Sequence, residues 1–332
     1  MTTTQHQALV LNETEVARLL PMGEAVRVME TALAALARDE AVQPLRTIMA
    51  TSGGTGLMAL MPASLQSPAA LGLKAVTIFP NNAQRGLDTH QGTVVLLEAD
   101  TGRLAALING TTITTIRTAA VSAVATAHLA NEQATDLAIL GSGVQARSHL
   151  EAMLGVRQIE RVRVWSRTLD HALAFADEMS ARHSLNVSAV EQPELAVREA
   201  QIIITVTASD QPVVRGEWIA PGAHLNVVGG CLPSVREVDT PTVLRSKLVV
   251  DSLESALAEA GEILIPISEG ACAPDHIHAT LGEIINHTKP GRTSADEITL
   301  FKSLGLAIED IAAAHFVYTR AQAEGCGLSV PF

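Results

Sequence analysis

Residues Ala138-Ile-Leu-Gly-Ser-Gly-Val-Gln-Ala-Arg147 constrain this chain more than any other stretch. An apolar strand over Thr135–Leu140 meets two glycines and then a helix from about Val144 to Leu154. Gly141 permits a tight turn, and Gly143 lets another molecule approach the backbone. Ala146 is small enough for the helix to lie close on the strand. The first turn, beginning at Val144 and Gln145, offers free N–H groups and a positive dipole end to phosphate. A second strand, Val162-Arg-Val-Trp-Ser-Arg-Thr168, completes a βαβ unit suited to a dinucleotide.

The tip of that second strand sets the cofactor type. An acidic residue there would accept from a ribose 2′-hydroxyl, but Ser166, Arg167 and Thr168 stand in its place. A guanidinium and two hydroxyls suit a 2′-phosphate, a charge-assisted contact of roughly 1.5–3 kcal/mol. That corresponds to roughly ten- to a hundredfold preference for NADP(H) over NAD(H). The alternative is an arginine solvated at a strand end.

Alternation continues beyond this unit, with strands expected at Ser188–Val190, Ile202–Val206, His224–Val228 and Lys247–Val250. Strands separated by helices indicate a doubly wound parallel sheet. The N-terminal part reads differently. A short strand at Leu9–Leu11 precedes a helix capped by Asn12 or Thr14. Strands at Arg46–Ala50, Gly56–Met61, Gly72–Phe79, Gly92–Glu98 and Leu104–Asn109 then suggest a mixed sheet. An alanine-rich helix over Thr114–Leu129 leads into the Gly141 strand. A final helix, about Ser303 to Glu324, is expected to return to the first domain. The fold class is therefore α/β, a Rossmann-type domain at 117–305 inserted into an α+β domain at 1–116 and 306–332.

Composition narrows the partners. With 332 residues, 47% hydrophobic and 17% charged, the chain can bury an ample core. Aromatics at 2% make that core aliphatic and alanine-rich. A net charge of −12 opposes nucleic acid and anionic membranes, which need basic surfaces. Cys231, Cys272 and Cys326 are far apart, so neither a disulfide framework nor a zinc ribbon is indicated and a reducing cytoplasm is expected. Met1 to Gln7 lack the plan of a signal peptide, and no apolar run is long enough to span a bilayer. Asp275-His-Ile-His278 has alternating histidines but no further ligand nearby in sequence, so no metal is expected.

Several blocks then resemble one family. They are Gly86-Leu-Asp-Thr-His-Gln-Gly92, Ile116-Arg-Thr-Ala-Ala-Val-Ser-Ala123, Gly141-x-Gly-Val-Gln-Ala and Val162-Arg-Val-Trp-Ser-Arg-Thr. Gly216-Glu-Trp, Pro221-Gly-Ala-His-Leu-Asn226, Val250-Asp-Ser and Phe301-Lys-Ser-Leu-Gly-Leu-Ala-Ile-Glu-Asp310 complete the set. Together they resemble the ornithine cyclodeaminase/mu-crystallin family, nearest its mu-crystallin/ketimine reductase branch, which uses NADPH. The resemblance implies a Rossmann domain, a substrate domain whose sheet pairs across a homodimer, and chemistry at a C=N bond.

It also implies roles for particular residues. Arg46, Lys74 and Arg117 match the cations that hold a substrate carboxylate. Lys74 lies in an otherwise apolar strand, so it emerges into a polar cavity, carries a shifted pKa, or snorkels from an edge. Arg117 alternatively bonds carbonyls at a helix start, and Arg46 a surface acid. Thr89 and His90 are expected near nicotinamide or substrate, His90 relaying a proton or bonding the cofactor. Thr118 follows Arg117 in its block, and both are expected at the cofactor. Thr207 and Val228 close strands at the carboxyl edge where dinucleotides lie. Ser303 is expected at the nicotinamide carboxamide, as an N-cap, or both.

Three departures shape the activity expected. Cys231 stands where cyclodeaminases carry an aspartate, and Ala59 where they carry a glutamate. Leu232 stands where mu-crystallin has an arginine. Two missing carboxylates disfavour cyclodeamination, because activating water or accepting an amine proton needs a base. Cys231 and Leu232 are read as substrate-pocket walls. The expected activity is NADPH-dependent reduction of a cyclic ketimine or related imine. A cyclodeaminase or alanine-type dehydrogenase and a non-catalytic ligand-binding protein are the alternatives.

Overall fold

The computed structural model describes residues 6–332, so the reading of Met1 to Gln7 lies mainly outside the described residues. The chain divides into two compact units, Met1–Arg117 with Gly305–Phe332, and Thr118–Leu304.

The first unit opens with β1 (Gln7–Leu11) and α1 (Glu13–Leu19). Asn12 caps α1: its side chain accepts from the Glu15 amide at 3.0 Å, and Glu15 bonds back at 2.9 Å. Next, α2 (Met22–Leu36) buries Ala25, Met29, Ala32 and Leu33 at helical spacing. Five strands follow before β7: β2 (Ala41–Val42), β3 (Thr47–Ala50), β4 (Leu57–Gln66), β5 (Ala69–Ile78) and β6 (His90–Leu97). β7 (Leu104–Asn109) then leads directly into α3 (Gly110–Leu129). That helix starts earlier than the alanine run suggests, because Asn109 Oδ1 accepts from the Thr112 amide at 2.8 Å.

The second unit alternates strand and helix. It runs β8 (Asp136–Leu140), α4 (Val144–Leu154), β9 (Arg161–Trp165), α5 (Leu169–His183), β10 (Asn186–Ala189) and α6 (Pro193–Val197). It continues with β11 (Ile202–Thr205), β12 (His224–Val227), α7 (Thr240–Leu244), β13 (Ser246–Val250), α8 (Leu253–Glu259) and α9 (Gly261–Ser268). β14 (Ile277–Thr280), α10 (Leu281–Ile285) and β15 (Ile298–Lys302) complete it. The strand order is β10-β9-β8-β11-β12-β15-β13-β14, parallel throughout. Order reverses between β8 and β11, the crevice where such sheets bind ligands. β8, β11, β12 and β15 are buried along their whole length, as a sheet covered on both faces requires.

One central strand is absent from the sequence-based reading. Ile298–Lys302 pairs with both β12 and β13, and the Ser303 amide extends this ladder to the Val227 carbonyl at 3.0 Å. Ser303 therefore does not start or cap the last helix. That helix, α11 (Ala307–Glu324), begins after Leu306, and β16 (Leu328–Pro331) follows it. β16 closes the first unit's mixed sheet, ordered β16-β1-β7-β6-β5-β4-β2 with β3 also on β4. α11 packs on α2, β4, β5 and β6.

Two buried histidines give the second unit a pH dependence. His149 Nε2 lies 3.0 Å from Ser122 Oγ and its Nδ1 2.7 Å from the Gln145 carbonyl; burial drives its pKa down to about 4. His224 contacts Thr299 Oγ1 at 3.0 Å, and burial, then the Arg292 charge, drives it down to about 3. An unfolded histidine titrates near 6.5, so below that pH the unfolded chain binds more protons than the native one. Stability is intact above pH 6.5 and falls as pH drops towards 4, with His149 contributing roughly 3 kcal/mol. Urea midpoints should decline between pH 7 and 4.5, and His149→Gln should flatten that slope. Parallel slopes for the two proteins would refute the assignment.

Candidate active site

In the first unit the cations singled out in sequence meet two carboxylates. Lys74 sits mid-strand in β5, opposite Met61 of β4 and Val94 of β6, and is 2% exposed. An apolar strand pair would not tolerate an unpaired ammonium. Its Nζ lies 2.6 Å from Asp310 Oδ2 and donates to Thr114 Oγ1 at 3.4 Å. Arg117, on α3, donates from Nε to Asp310 Oδ1 at 3.0 Å and from Nη1 to Glu309 Oε2 at 2.5 Å. One carboxylate, that of Asp310, thus spans both cations.

Local backbone chemistry makes this possible. Glu309 and Asp310 occupy the first turn of α11, where the helix dipole favours acids, and α11 lies on β5. Gly305 has φ +77°, and a Cβ there would stand 2.5 Å from Arg117 Nη1. A side chain there would crowd the guanidinium and strain a backbone held at positive φ. Arg46, half-buried, donates from Nη2 to the Gly305 carbonyl at 2.9 Å.

The electrostatics follow from burial. Desolvation pushes the Lys74 pKa down to about 8; Asp310 opposes this, while Arg117 and Arg46 add to it. Lys74 is therefore largely an ammonium at neutral pH, with a proton it can readily give up. For Arg117 burial works against the charge, but Asp310 and Glu309 more than offset it. His90 begins β6, its Nδ1 3.0 Å from Thr89 Oγ1. Partial burial, then the Lys74 charge, holds its imidazole below the usual range.

In the second unit the glycine turn has the geometry a dinucleotide needs. Gly141 has φ +119°, and a Cβ would stand 2.6 Å from the Val206 carbonyl. Gly143 precedes α4 with no side-chain cap, and a Cβ there would meet nothing within 4 Å. The helix's leading N–H groups and open space thus coincide, a cradle for a pyrophosphate. Val144 is exposed, and Gln145 Oε1 is buried without a hydrogen-bond partner among the described residues. Ser142 Oγ donates to Ser166 Oγ at 3.1 Å. Arg167 and Thr168 lie exposed just past β9, and Arg167 makes no ion pair among the described residues.

Other expected site residues are placed less simply. Thr118 is buried beside Arg117 in sequence, and Val228 is buried with its amide on the Thr205 carbonyl at 3.0 Å. Ser303 is buried, its hydroxyl without a partner among the described residues. Cys231 is half-buried, its thiol 3.7 Å from the Leu304 carbonyl, and Leu232 is exposed. The Thr207 hydroxyl, expected to face cofactor, instead donates to Glu237 Oε1 at 2.6 Å. His276 and His278 bond the backbone oxygens of Val243 and Pro290.

Glu237 anchors a polar knot that sequence reasoning missed. Fully buried, it accepts from Thr205 Oγ1, the Thr207 amide and hydroxyl, and the Gly229 amide, at 2.6–2.7 Å. Its own amide donates to Glu262 Oε1 at 3.1 Å, and Glu262 Oε2 pairs with buried Lys302 at 3.0 Å. Lys302 in turn donates to the Gly230 carbonyl. These bonds tie the ends of β11, β12 and β15 to the loop carrying Cys231 and Leu232. Glu237 lies in a polar, loop-like stretch, Ser-Val-Arg-Glu-Val-Asp, where an acid is ordinarily solvated, so pattern alone carried no signal. Glu237→Ala should orphan four donors and cost roughly 3–5 kcal/mol in urea unfolding. A loss below 1 kcal/mol would mean that water replaces the carboxylate.

Comparison with known proteins extends this geometry. The model of the ornithine cyclodeaminase/mu-crystallin family matches residues 6–325. The chain is 38% identical over 325 residues to a Delta(1)-pyrroline-2-carboxylate reductase of Bacillus cereus, covering 98% of this chain and all of that protein. It is 38% identical over 277 residues to the ketimine reductase mu-crystallin of Rattus norvegicus, 83% of this chain and 84% of that one. Thermococcus litoralis Delta(1)-pyrroline-2-carboxylate reductase, solved with NADH and L-proline, superimposes with a TM-score of 0.94 at 41% identity. That match covers 97% of this chain and all of the other. The turn, the parallel sheet and these matches over most or all of the chain agree: the chain belongs to the ornithine cyclodeaminase/mu-crystallin family.

Proposed function

We propose that the protein reduces the C=N bond of a small cyclic imino acid, of the pyrroline-2-carboxylate type, with NADPH. The observation carrying this reading is Lys74, a buried ammonium with a pKa of about 8 grouped with Arg117 and Arg46. The relatives described above reduce a pyrroline carboxylate or a ketimine, and one was solved with NADH and L-proline. When bound, reduced nicotinamide supplies the hydride that the imine carbon accepts.

The chain's own residues do the rest. Arg46 and Arg117 hold the carboxylate and so fix the orientation of the imine. Lys74 gives a proton to the imine nitrogen as its carbon receives hydride, and the resulting amine is reprotonated from water. Thr89 and His90 border the substrate. With Ala59 and Cys231 in place of carboxylates, no base is supplied at those positions to expel ammonia. The Gly141–Gly143 turn with Val144 and Gln145 holds the pyrophosphate, and Ser166, Arg167 and Thr168 hold the 2′-phosphate. Thr118, Val228 and Ser303 contact the cofactor, the unpartnered Ser303 hydroxyl suiting the nicotinamide carboxamide. Thr207 acts through Glu237. Val42, Ile48 and Met49 are exposed on the edge of the mixed sheet and support a homodimer through that sheet. Among the described residues no helix is long and apolar enough to cross a membrane, and a cytoplasmic location fits the three free cysteines.

An NADPH-oxidation screen tests the reading. Pyrroline-2-carboxylate should turn over at least a hundredfold faster in kcat/KM than neutral 1-pyrroline, and Lys74→Ala should lower kcat about 10²- to 10⁴-fold. Equal rates on the two imines would remove the carboxylate from the mechanism. Faster turnover of pyruvate with ammonium would make the enzyme an alanine-type dehydrogenase, and nucleotide binding without any turnover would make it a binding protein. Separately, Arg167→Asp should cut kcat/KM for NADPH roughly ten- to a hundredfold while sparing NADH. Equal losses with both cofactors would overturn the 2′-phosphate assignment.

A further inference from the structure

The ammonium of Lys74 is held by neighbours that act in opposite directions. Arg117 and Thr114 face it from α3, Arg46 from the segment preceding β3, His90 from β6 and Asp310 from α11. Of these, Asp310 alone brings negative charge to it. Glu309, the other acid of the cluster, bonds the far end of Arg117. An ammonium has three N–H donors. The ammonium pairs with Asp310 Oδ2 at 2.6 Å and donates to Thr114 Oγ1 at 3.4 Å, so at least one N–H remains for a ligand. The other Asp310 oxygen, on Arg117 Nε at 3.0 Å, stops the carboxylate from rotating away. Charge and aim therefore come from one side chain.

We infer that Asp310 is the positioning residue that keeps Lys74 protonated and points its remaining N–H at the imine nitrogen. This rests on Lys74 being the proton donor of the proposed reduction. Asp310 touches neither substrate nor cofactor; it acts through Lys74. Without it the buried lysine would face cations, a neutral hydroxyl and an imidazole, and such surroundings favour the free amine. The loss of proton-donating power would come at the pH where the enzyme works. Arg117 would keep Glu309, so its charge and its hold on the substrate carboxylate would survive. The substitution should thus act on proton delivery more than on binding.

The test compares Asp310→Asn, Asp310→Glu and Glu309→Gln in the full chain, reading kcat and KM for pyrroline-2-carboxylate against pH. Wild-type activity should fall above about pH 8, where Lys74 loses its proton. In Asp310→Asn that limb should move at least one pH unit lower, with kcat at pH 8 down tenfold or more and KM within threefold. Asp310→Glu should keep the limb in place at reduced kcat, and Glu309→Gln should leave it unmoved. A limb unmoved in Asp310→Asn, or moved as far by Glu309→Gln, overturns the inference. Should Asp310→Asn fail to fold, Asp310→Glu decides: a limb in its wild-type place supports the assignment, and a displaced one overturns it.

A second readout needs no turnover. The pH dependence of urea stability, compared with and without Lys74→Met, reports where the folded lysine releases its proton. Because that pKa lies below the unfolded value, the lysine-containing protein should gain stability relative to Lys74→Met as pH rises above about 8. With Asp310→Asn this gain should begin at lower pH. If it does so in a protein that reduces no imine, the reading of the activity fails while Asp310 still sets the lysine's charge. If the gain begins at the same pH in an active enzyme, the inference fails and the activity stands.

Discussion

The buried carboxylate of Asp310 is the interaction on which the first unit depends. Two cations, Lys74 and Arg117, are buried; alone, the lysine would be expelled or neutralised and the arginine expelled. Asp310 makes both tolerable at once, and Glu309 completes the neutralisation of Arg117. A buried ion-pair cluster is weak evidence for added stability, since well-packed apolar residues often do as well. Its presence is better explained by what the ions do. A lysine held near the edge of deprotonation in a closed site is of little structural use and of clear chemical use.

The second unit solves a related problem at the carboxyl ends of its strands. There the backbone leaves the sheet, and the amides of Thr207 and Gly229 have lost their ladder partners. Glu237 collects them, while Glu262 and Lys302 extend the network to the loop at Gly230. The crevice side of a parallel sheet is where ligands lie, so rigid strand ends there matter more than elsewhere. Gly141 and the uncapped start of α4 keep the neighbouring turn open for phosphate.

Much of this was legible in the chain. The Gly141 turn, the alternation after it, and the blocks shared with one family pointed to the Rossmann-type fold and to Arg46, Lys74 and Arg117. The misses have specific causes. Ile298–Lys302 is short, and its serine-glycine continuation resembles a helix start; only pairing with β12 and β13 makes it a central strand. Asp310 and Glu309 look like ordinary acids in a helix's first turn, where the dipole favours them whether or not they face a lysine. Thr207 ends its strand as expected, but its hydroxyl finds a carboxylate 30 residues away.

Local chemistry therefore determined which elements form, because turns, caps and hydrophobic periodicity act over a few residues. It also marked Lys74, conspicuous in an apolar strand, whereas Arg46 and Arg117 were marked by the family resemblance. Which acids face them was decided only by the tertiary structure. Asp310 meets Lys74 across more than two hundred residues because α11 lies on β5. A charge's partner, and hence its pKa, is set by distance in space, which short-range sequence pattern does not encode.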